Sequence, residues 1–244
     1  MERLQKAIAE SGLTYRRKAE ELIINGKVKV NGKVVTELGT KVTSKDTIEV
    51  DNKIISKELK EYYLLNKPRG YITSTSDDKN RKVVTDLINT NARIFPVGRL
   101  DYDTTGVLLL TNDGDFANIL THPKNGIDKV YIAKLEGIIK GEQINKLKDG
   151  VKLDGIITKA SRVKLKKVNN EANTSMVEIT IHEGKNHQVK RMFEAVGYHV
   201  EKLTRKQFGF FTTENLQSGE YRKLNQKEIK QVFSLNKTTK KEID

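Results

Sequence analysis

Apolar residues recur along this chain at two different spacings, and the change from one to the other divides it. At the start Leu4, Ala7 and Ile8 repeat at helical spacing, and Gly12 stops the run. Thr14 is placed to cap a second helix from about Tyr15 to Ile24, with Ala19, Leu22 and Ile23 on one face and Asn25-Gly26 at its end. The period then becomes two. Lys27-Val28-Lys29-Val30 alternates, Asn31-Gly32 signals a tight turn, Lys33-Val34-Val35 returns, and Val42, Ile48 and Val50 complete a small sheet. Asp51 to Lys60 is polar and charged and reads as a linker.

Beyond it the apolar runs lengthen. Tyr62-Tyr63-Leu64-Leu65 predicts a strand, halted by Asn66-Lys67-Pro68-Arg69-Gly70, and Tyr71 to Thr75 predicts another. Val107-Leu108-Leu109-Leu110 reads as a fully buried strand ended by Asn112-Asp113-Gly114, after which Asp115 caps a short helix through Phe116, Ala117, Ile119 and Leu120. Strands fit Val130 to Leu135, Met176 to Ile181 and Tyr198 to Leu203, and a helix from about His187 to Val196 ends at Gly197. Helices do not alternate regularly with strands, so the fold class is α+β with a mainly antiparallel sheet. The division expected is a domain at 1–60, a second at 61–236 and a frayed basic tail at 237–244.

Composition narrows the chemistry. The 244 residues include no cysteine, which removes disulfides and thiolate nucleophiles and fits a reducing compartment. The first residues lack an apolar leader, and nowhere do 18 apolar residues run together, so the expectation is a cytoplasmic protein with no membrane contact; a monomer is expected. The net charge of +13 points to a polyanionic partner. Its distribution is uneven: 13 basic and 9 acidic side chains in residues 1–60, 15 and 13 in 61–160, and 17 and 10 in 161–244. Two basic ends flank a nearly balanced middle, although lysine-rich surface alone gives the same total.

Four stretches carry candidate chemistry. Tyr15-Arg16-Arg17-Lys18 sets three cations at the start of the second helix, where backbone N–H groups and positive charge suit phosphate oxygens. Residues 96–106 form a polar loop bounded by Gly98 and Gly106 that holds Arg99, Asp101 and Asp103. Lys129-Val130-Tyr131 puts an aromatic ring on a strand. Glu183-Gly184-Lys185-Asn186-His187-Gln188-Val189-Lys190-Arg191-Met192 is a glycine turn leading into a basic helix. Each has a plainer reading: Asp101 closing a loop, Tyr131 as a core aromatic, Lys190 as solvated surface. Asp101 with Asp103, or Asp113 with Asp115, is a carboxylate pair able to hold Mg²⁺ as in a nuclease. The histidines 122, 182, 187 and 199 lack a second ligand type at metal spacing, and no phosphate-binding glycine motif occurs, so neither a metal nor a nucleotide cofactor is expected.

Two resemblances bring these stretches together. Leu4, Ser11-Gly12-Leu13, Arg16-Arg17-Lys18-Ala19, Ile23 and Gly26-Lys27-Val28-Lys29-Val30-Asn31-Gly32 resemble the S4 RNA-binding domain over nearly the whole first module. Gly98 to Gly114, with Lys67-Pro68-Arg69-Gly70, Lys129-Val130-Tyr131, Glu183 to Met192 and Leu203-Thr204-Arg205, resembles the RsuA/RluB-type pseudouridine synthases from about Tyr62 to Phe211. The likeness is to the branch that modifies large-subunit ribosomal RNA, with the small-subunit branch next. It implies that Asp101 is the catalytic carboxylate, that Tyr131 packs against the target uracil and that Lys190 is the cation beside Asp101. Many members have arginine in place of Lys190, which leaves Arg191 as the fallback. RNA contacts are expected from Arg16, Arg17, Lys18, Lys67, Arg69, Arg99, Lys185, His187, Gln188 and Arg191. Conversion of uridine to pseudouridine only moves a glycosidic bond from nitrogen to carbon, so it requires no cofactor. The competing readings are a non-catalytic ribosome-assembly factor and a metal-dependent nuclease.

Overall fold

In the computed structural model the backbone of residues 1–241 and the side chains of residues 1–235 are described. The chain forms two compact units, one of residues 1–61 with 90–93, the other of residues 62–89 with 94–244.

The first unit packs helices Leu4–Glu10 and Arg16–Ile24 over a four-stranded sheet. Leu4, Ile8, Ala19, Ile23, Val28, Val42 and Val50 are buried together, as the helical and alternating spacings predict. Asn31 and Gly32 both have positive φ (51° and 77°), the backbone of a primed hairpin turn between Val28–Val30 and Lys33–Val34. The stretch from Asp51 to Lys60 is no linker. A second turn at Asp51-Asn52 (φ 46° and 62°) returns the chain as strand Lys53–Ile54 against Ile48–Val50. Lys57 then pairs with Glu2 at 2.6 Å and Glu10 at 2.8 Å. Among the described residues no helix is long and apolar enough to cross a membrane.

The second unit is built on a nine-stranded sheet. Along its main path the strands run Arg162–Asn169, Thr174–Ile181, Lys129–Glu136, Val200–Phe208, Thr105–Thr111, Tyr62–Lys67 and Tyr221–Lys223. Phe95–Val97 and Phe211–Thr212 pair at its margins. Neighbours are antiparallel except at one place, where Thr105-Gly106 runs parallel to Thr204-Arg205. Gly106 makes that junction possible. Its φ is +103°, and a Cβ there would lie 2.2 Å from the Arg205 carbonyl oxygen. The core sits over this half of the sheet, where Leu64, Val107, Leu109, Phe116, Leu120, Phe208 and Val232 are buried together.

Several local expectations are corrected. Tyr71 to Thr75 is not a strand: only Ile72 bridges to Val83, and the Ser74 hydroxyl turns back to the Ser76 carbonyl. Asp113, not Asp115, caps the helix Gly114–Thr121, its carboxylate accepting from the Asp115 and Phe116 amides. The helix expected from His187 spans Gln188–Glu194. The final helix runs Gln226–Lys241 through most of the expected frayed tail, because Ile229, Val232 and Phe233 seat its first turns on the core; residues 242–244 lie outside the described ones.

Gly106→Ala should therefore destabilise the protein by about 3 kcal/mol or more in urea unfolding, through a backbone clash at positive φ. Gly197→Ala, also at positive φ but with nothing within 4 Å of the added methyl, should cost only about 1 kcal/mol.

Candidate active site

The loop between Val97 and Thr105 is fixed from below by a single buried lysine. Lys67 ends its strand and is fully buried. Its ammonium donates to the carbonyls of Asp101 at 3.1 Å, Thr104 at 3.0 Å and Pro68 at 3.1 Å. Thr73 adds a second tie, donating to the Leu100 carbonyl at 2.6 Å and accepting from its amide. Burial pushes the Lys67 ammonium down to about 8 against the opposing pull of Asp103 and Asp101. The expectation that Lys67 contacts RNA is thus corrected: its donors are spent inside the protein, where they hold the backbone that carries Asp101.

Tied in this way, the Asp101 side chain is partly exposed and faces the start of the Gln188–Glu194 helix. One carboxylate oxygen lies 3.4 Å from His187 Nε2, the other 3.7 Å from Lys190 Nζ. Lys190 makes its short hydrogen bonds to Asp103 instead, at 2.7 and 2.9 Å, so one ammonium bridges both carboxylates. Desolvation raises the Asp103 carboxyl, but the Lys190 bond and charge outweigh it and hold the group below the usual carboxylate range. Arg191 points elsewhere, to Asp154 at 2.6 Å, so it is not the alternative partner of Asp101. His187 caps the helix with φ +49°, a strained backbone for a non-glycine residue.

Asp101 and Tyr131 line one cavity of about 530 Å³, within the size range of small-molecule sites. Its floor is the sheet, with Lys129 and Tyr131 on one strand and Leu203, Arg205 and Phe208 on the next. Tyr131 is only 8% exposed and sits directly opposite Arg205. Arg99, Lys185 and His187 are exposed at the walls. Lys185 donates to the Thr158 hydroxyl at 3.1 Å and pairs with Glu183 at 2.8 Å. Arg69 is exposed and donates to the Glu201 carbonyl at 3.2 Å. Gln188 is buried at the edge of the same cavity, with its side-chain oxygen accepting from the Lys185 amide, so it shapes the turn there. In the first unit Arg16 and Arg17 are exposed, and Lys18 is paired with Glu21 at 2.6 Å.

The two carboxylate pairs considered for a metal are differently placed, and Asp101 and Asp103 share the Lys190 ammonium. Asp113 is taken up by its helix cap and by the Tyr62 hydroxyl at 2.8 Å, and Asp103 by Lys190. Among the described residues no group of three or more acidic, histidine or cysteine side chains is placed to hold a metal ion. Two polar residues of the cavity went unremarked in the sequence except as parts of motifs. Arg205 is 2% exposed, and Thr104 is 1% exposed with no hydrogen-bond partner for its hydroxyl. The signal for Arg205 was a cation at an inward position of the alternating strand Val200–Phe208.

Comparison with known proteins gives the family. The RNA pseudouridylate synthase family model matches residues 61–195, and the S4 domain model matches residues 2–48. The chain is 53% identical over 236 residues to the ribosomal large subunit pseudouridine synthase B of Bacillus subtilis (strain 168), covering 96% of this chain and 97% of that one. It is 42% identical to an uncharacterized RNA pseudouridine synthase of Aquifex aeolicus (strain VF5), covering 95% and 93%. A crystal structure of a pseudouridylate synthase superposes with a TM-score of 0.67 at 33% identity, covering 95% of this chain and all of that one. The chain belongs to the RNA pseudouridylate synthase family and carries an S4 domain ahead of its catalytic domain.

Lys67 also sets a pH dependence. Its folded pKa lies below its free value of 10.5, so the unfolded state binds more protons between about pH 8 and 10.5, and stability gains with rising pH across that window. The stability of wild type relative to Lys67→Met should accordingly increase from pH 8 to pH 10 in urea titrations. A flat or falling difference would remove the buried ammonium from the account.

Proposed function

We propose that this chain isomerises one specific uridine of ribosomal RNA, in the large subunit, to pseudouridine, with the chemistry in residues 61–236 and the RNA grip shared with residues 1–60. The observation that carries the reading is that Asp101 and Tyr131 line one nucleoside-sized cavity, with Lys190 and His187 within 4 Å of the Asp101 carboxylate. The large-subunit assignment is supported by the name of the Bacillus subtilis relative.

In this reading the target nucleotide leaves its stack, at a cost of a few kcal/mol, and enters the cavity. Tyr131 recovers part of that by packing against the base, a contact worth roughly 1–3 kcal/mol. Asp101 then acts on the ribose, by attack at C1′ or by removing a sugar proton. Either route breaks the C1′–N1 bond. The uracil turns and rejoins C1′ through C5 as the Asp101 carboxylate is displaced, or as the sugar regains its proton; the proton on C5 is released and N1 takes one up, so no atom is gained or lost. Lys190, bridging Asp103 and Asp101, aims the carboxylate at the cavity. Arg16, Arg17 and Lys18 open a helix in the first unit and supply phosphate contacts, with Arg69, Arg99, Lys185 and His187 doing the same around the cavity.

Mapping pseudouridines in ribosomal RNA with and without the protein, by carbodiimide-blocked primer extension, should reveal one lost stop in the large-subunit RNA. A lost stop in small-subunit RNA would move the target, and no lost stop would defeat the assignment. Asp101→Asn should abolish the modification while leaving RNA affinity within about twofold. Replacing Arg16, Arg17 and Lys18 with alanine should instead weaken binding and lower the slope of log K against log salt by roughly 2, the count expected for three phosphate contacts.

A further inference from the structure

Arg205 is almost as deeply buried as Lys67, yet the roles given to Asp101, Tyr131 and Lys190 leave it without a task. Lys67 explains its burial by filling its donors with carbonyls. Arg205 does not. Its Nε donates to the Val107 carbonyl at 2.8 Å, and the guanidinium lies 4.8 Å from the centre of the Phe208 ring. Its Nη2 has no hydrogen-bond partner, and no ion pair with a carboxylate engages it among the described residues. A buried charged donor left empty costs free energy that only an acceptor can recover.

Position says which acceptor. Arg205 lines the same cavity as Asp101 and stands directly across from Tyr131 on the paired strand, a register that sets Cβ atoms about 4.5–5.5 Å apart. A base packed on the Tyr131 ring therefore has its edge next to the guanidinium. Lys129 lies on the other side, 5.5 Å from the Phe208 ring, with its ammonium on the carbonyls of His182 at 2.7 Å and Ile127 at 3.2 Å. Burial, and then the positive charge of Arg205, push that ammonium down to about 8. This end of the cavity thus holds two cations, and the acid that acts on Lys129, Asp128, is exposed.

Breaking the C1′–N1 bond sends its electron pair away with the uracil, where the charge spreads from N1 onto O2 and O4. We propose that Arg205 is a further catalytic residue, donating to a carbonyl oxygen of the uracil and stabilising the detached base as an anion until C5 bonds to C1′. The inference rests on the reading of the cavity as a uridine site. Preorganised donors aimed at developing negative charge in a closed site are the largest single contribution in many enzymes, and removing one typically slows turnover by about 10²–10³-fold. Its bond to Val107 and its contact with the Phe208 ring fix the guanidinium beside the cavity.

The test uses the full chain and a ribosomal RNA fragment carrying the mapped target as uridine or as 5-fluorouridine. Fluorine itself stabilises the departing base, so it relieves a defect in leaving-group stabilisation but not a defect in folding or RNA binding. Single-turnover loss of the intact nucleoside is followed after nuclease digestion. R205M should slow the uridine substrate by about 10²–10³-fold with RNA affinity unchanged, and slow the fluorinated substrate at least tenfold less. R205K, which keeps the charge, should fall between; if R205M does not fold by thermal melting, the same comparison is made with R205K. Equal slowing on both substrates, or a loss confined to RNA affinity, would overturn the role. A wild-type protein that forms no pseudouridine sinks the proposed function itself, whereas active wild type with an equally fast variant sinks only Arg205.

Discussion

Everything in the catalytic unit depends on the place where the backbone of Gly106 meets that of Arg205. Among the described residues it is the only parallel contact along the main path of the large sheet, and it is two residues long. On one side it anchors the strand whose leading loop carries Asp101. On the other it fixes Arg205 and, one strand further, Tyr131. A carboxylate, an aromatic ring and a guanidinium from three distant parts of the chain are brought to one cavity by that junction. No side chain fits between the two backbones, so the requirement for glycine follows from geometry.

The loop above the junction would be unstable by itself, since its carbonyls turn inward where water cannot reach them. Lys67 answers this with one ammonium that donates to two of them, those of Asp101 and Thr104, and to the Pro68 carbonyl. A buried lysine charge is unfavourable, and burial accordingly lowers the Lys67 pKa against the pull of Asp103 and Asp101. The cost is offset because the same contacts leave Asp101 with little freedom. Chemistry that relies on one carboxylate at a defined distance from C1′ gains from such rigidity. Lys190 acts from the opposite side, bridging Asp103 and Asp101, so the loop is gripped both at its backbone and at its acidic side chains.

Much of this was legible in the residues. The helical spacing of Leu4, Ala7 and Ile8, the Asn31-Gly32 turn and the run Val107 to Leu110 each fold as the spacing implies, because those segments bury one face or both and little competes with that. Asp101 and Tyr131 were marked by their motifs, and the structure sets them in one cavity. What was not legible depended on distant partners. Asp51 to Lys60 looks like a linker until the ion pairs of Lys57 and the return of Lys53–Ile54 are seen. The cation of Lys67 reads as a phosphate contact because burial of a lysine has no local signal. The burial of Gln188, whose side-chain oxygen accepts from the Lys185 amide, likewise has no local signal. The polar helix Gly141–Asp149 and the edge strand Arg162–Asn169 escaped because their apolar positions are few.

The claim at the centre is that a uridine, drawn out of its RNA, lies in the cavity with its ring on Tyr131 and its ribose at Asp101. A crystal structure of the protein with an RNA stem-loop carrying 5-fluorouridine at the mapped position tests this directly. The account predicts density for one nucleoside in the cavity, its sugar C1′ within reach of the Asp101 carboxylate and a base carbonyl on Arg205. Density that leaves every base stacked in the RNA and the cavity empty, or that places the nucleoside away from Asp101, would contradict it.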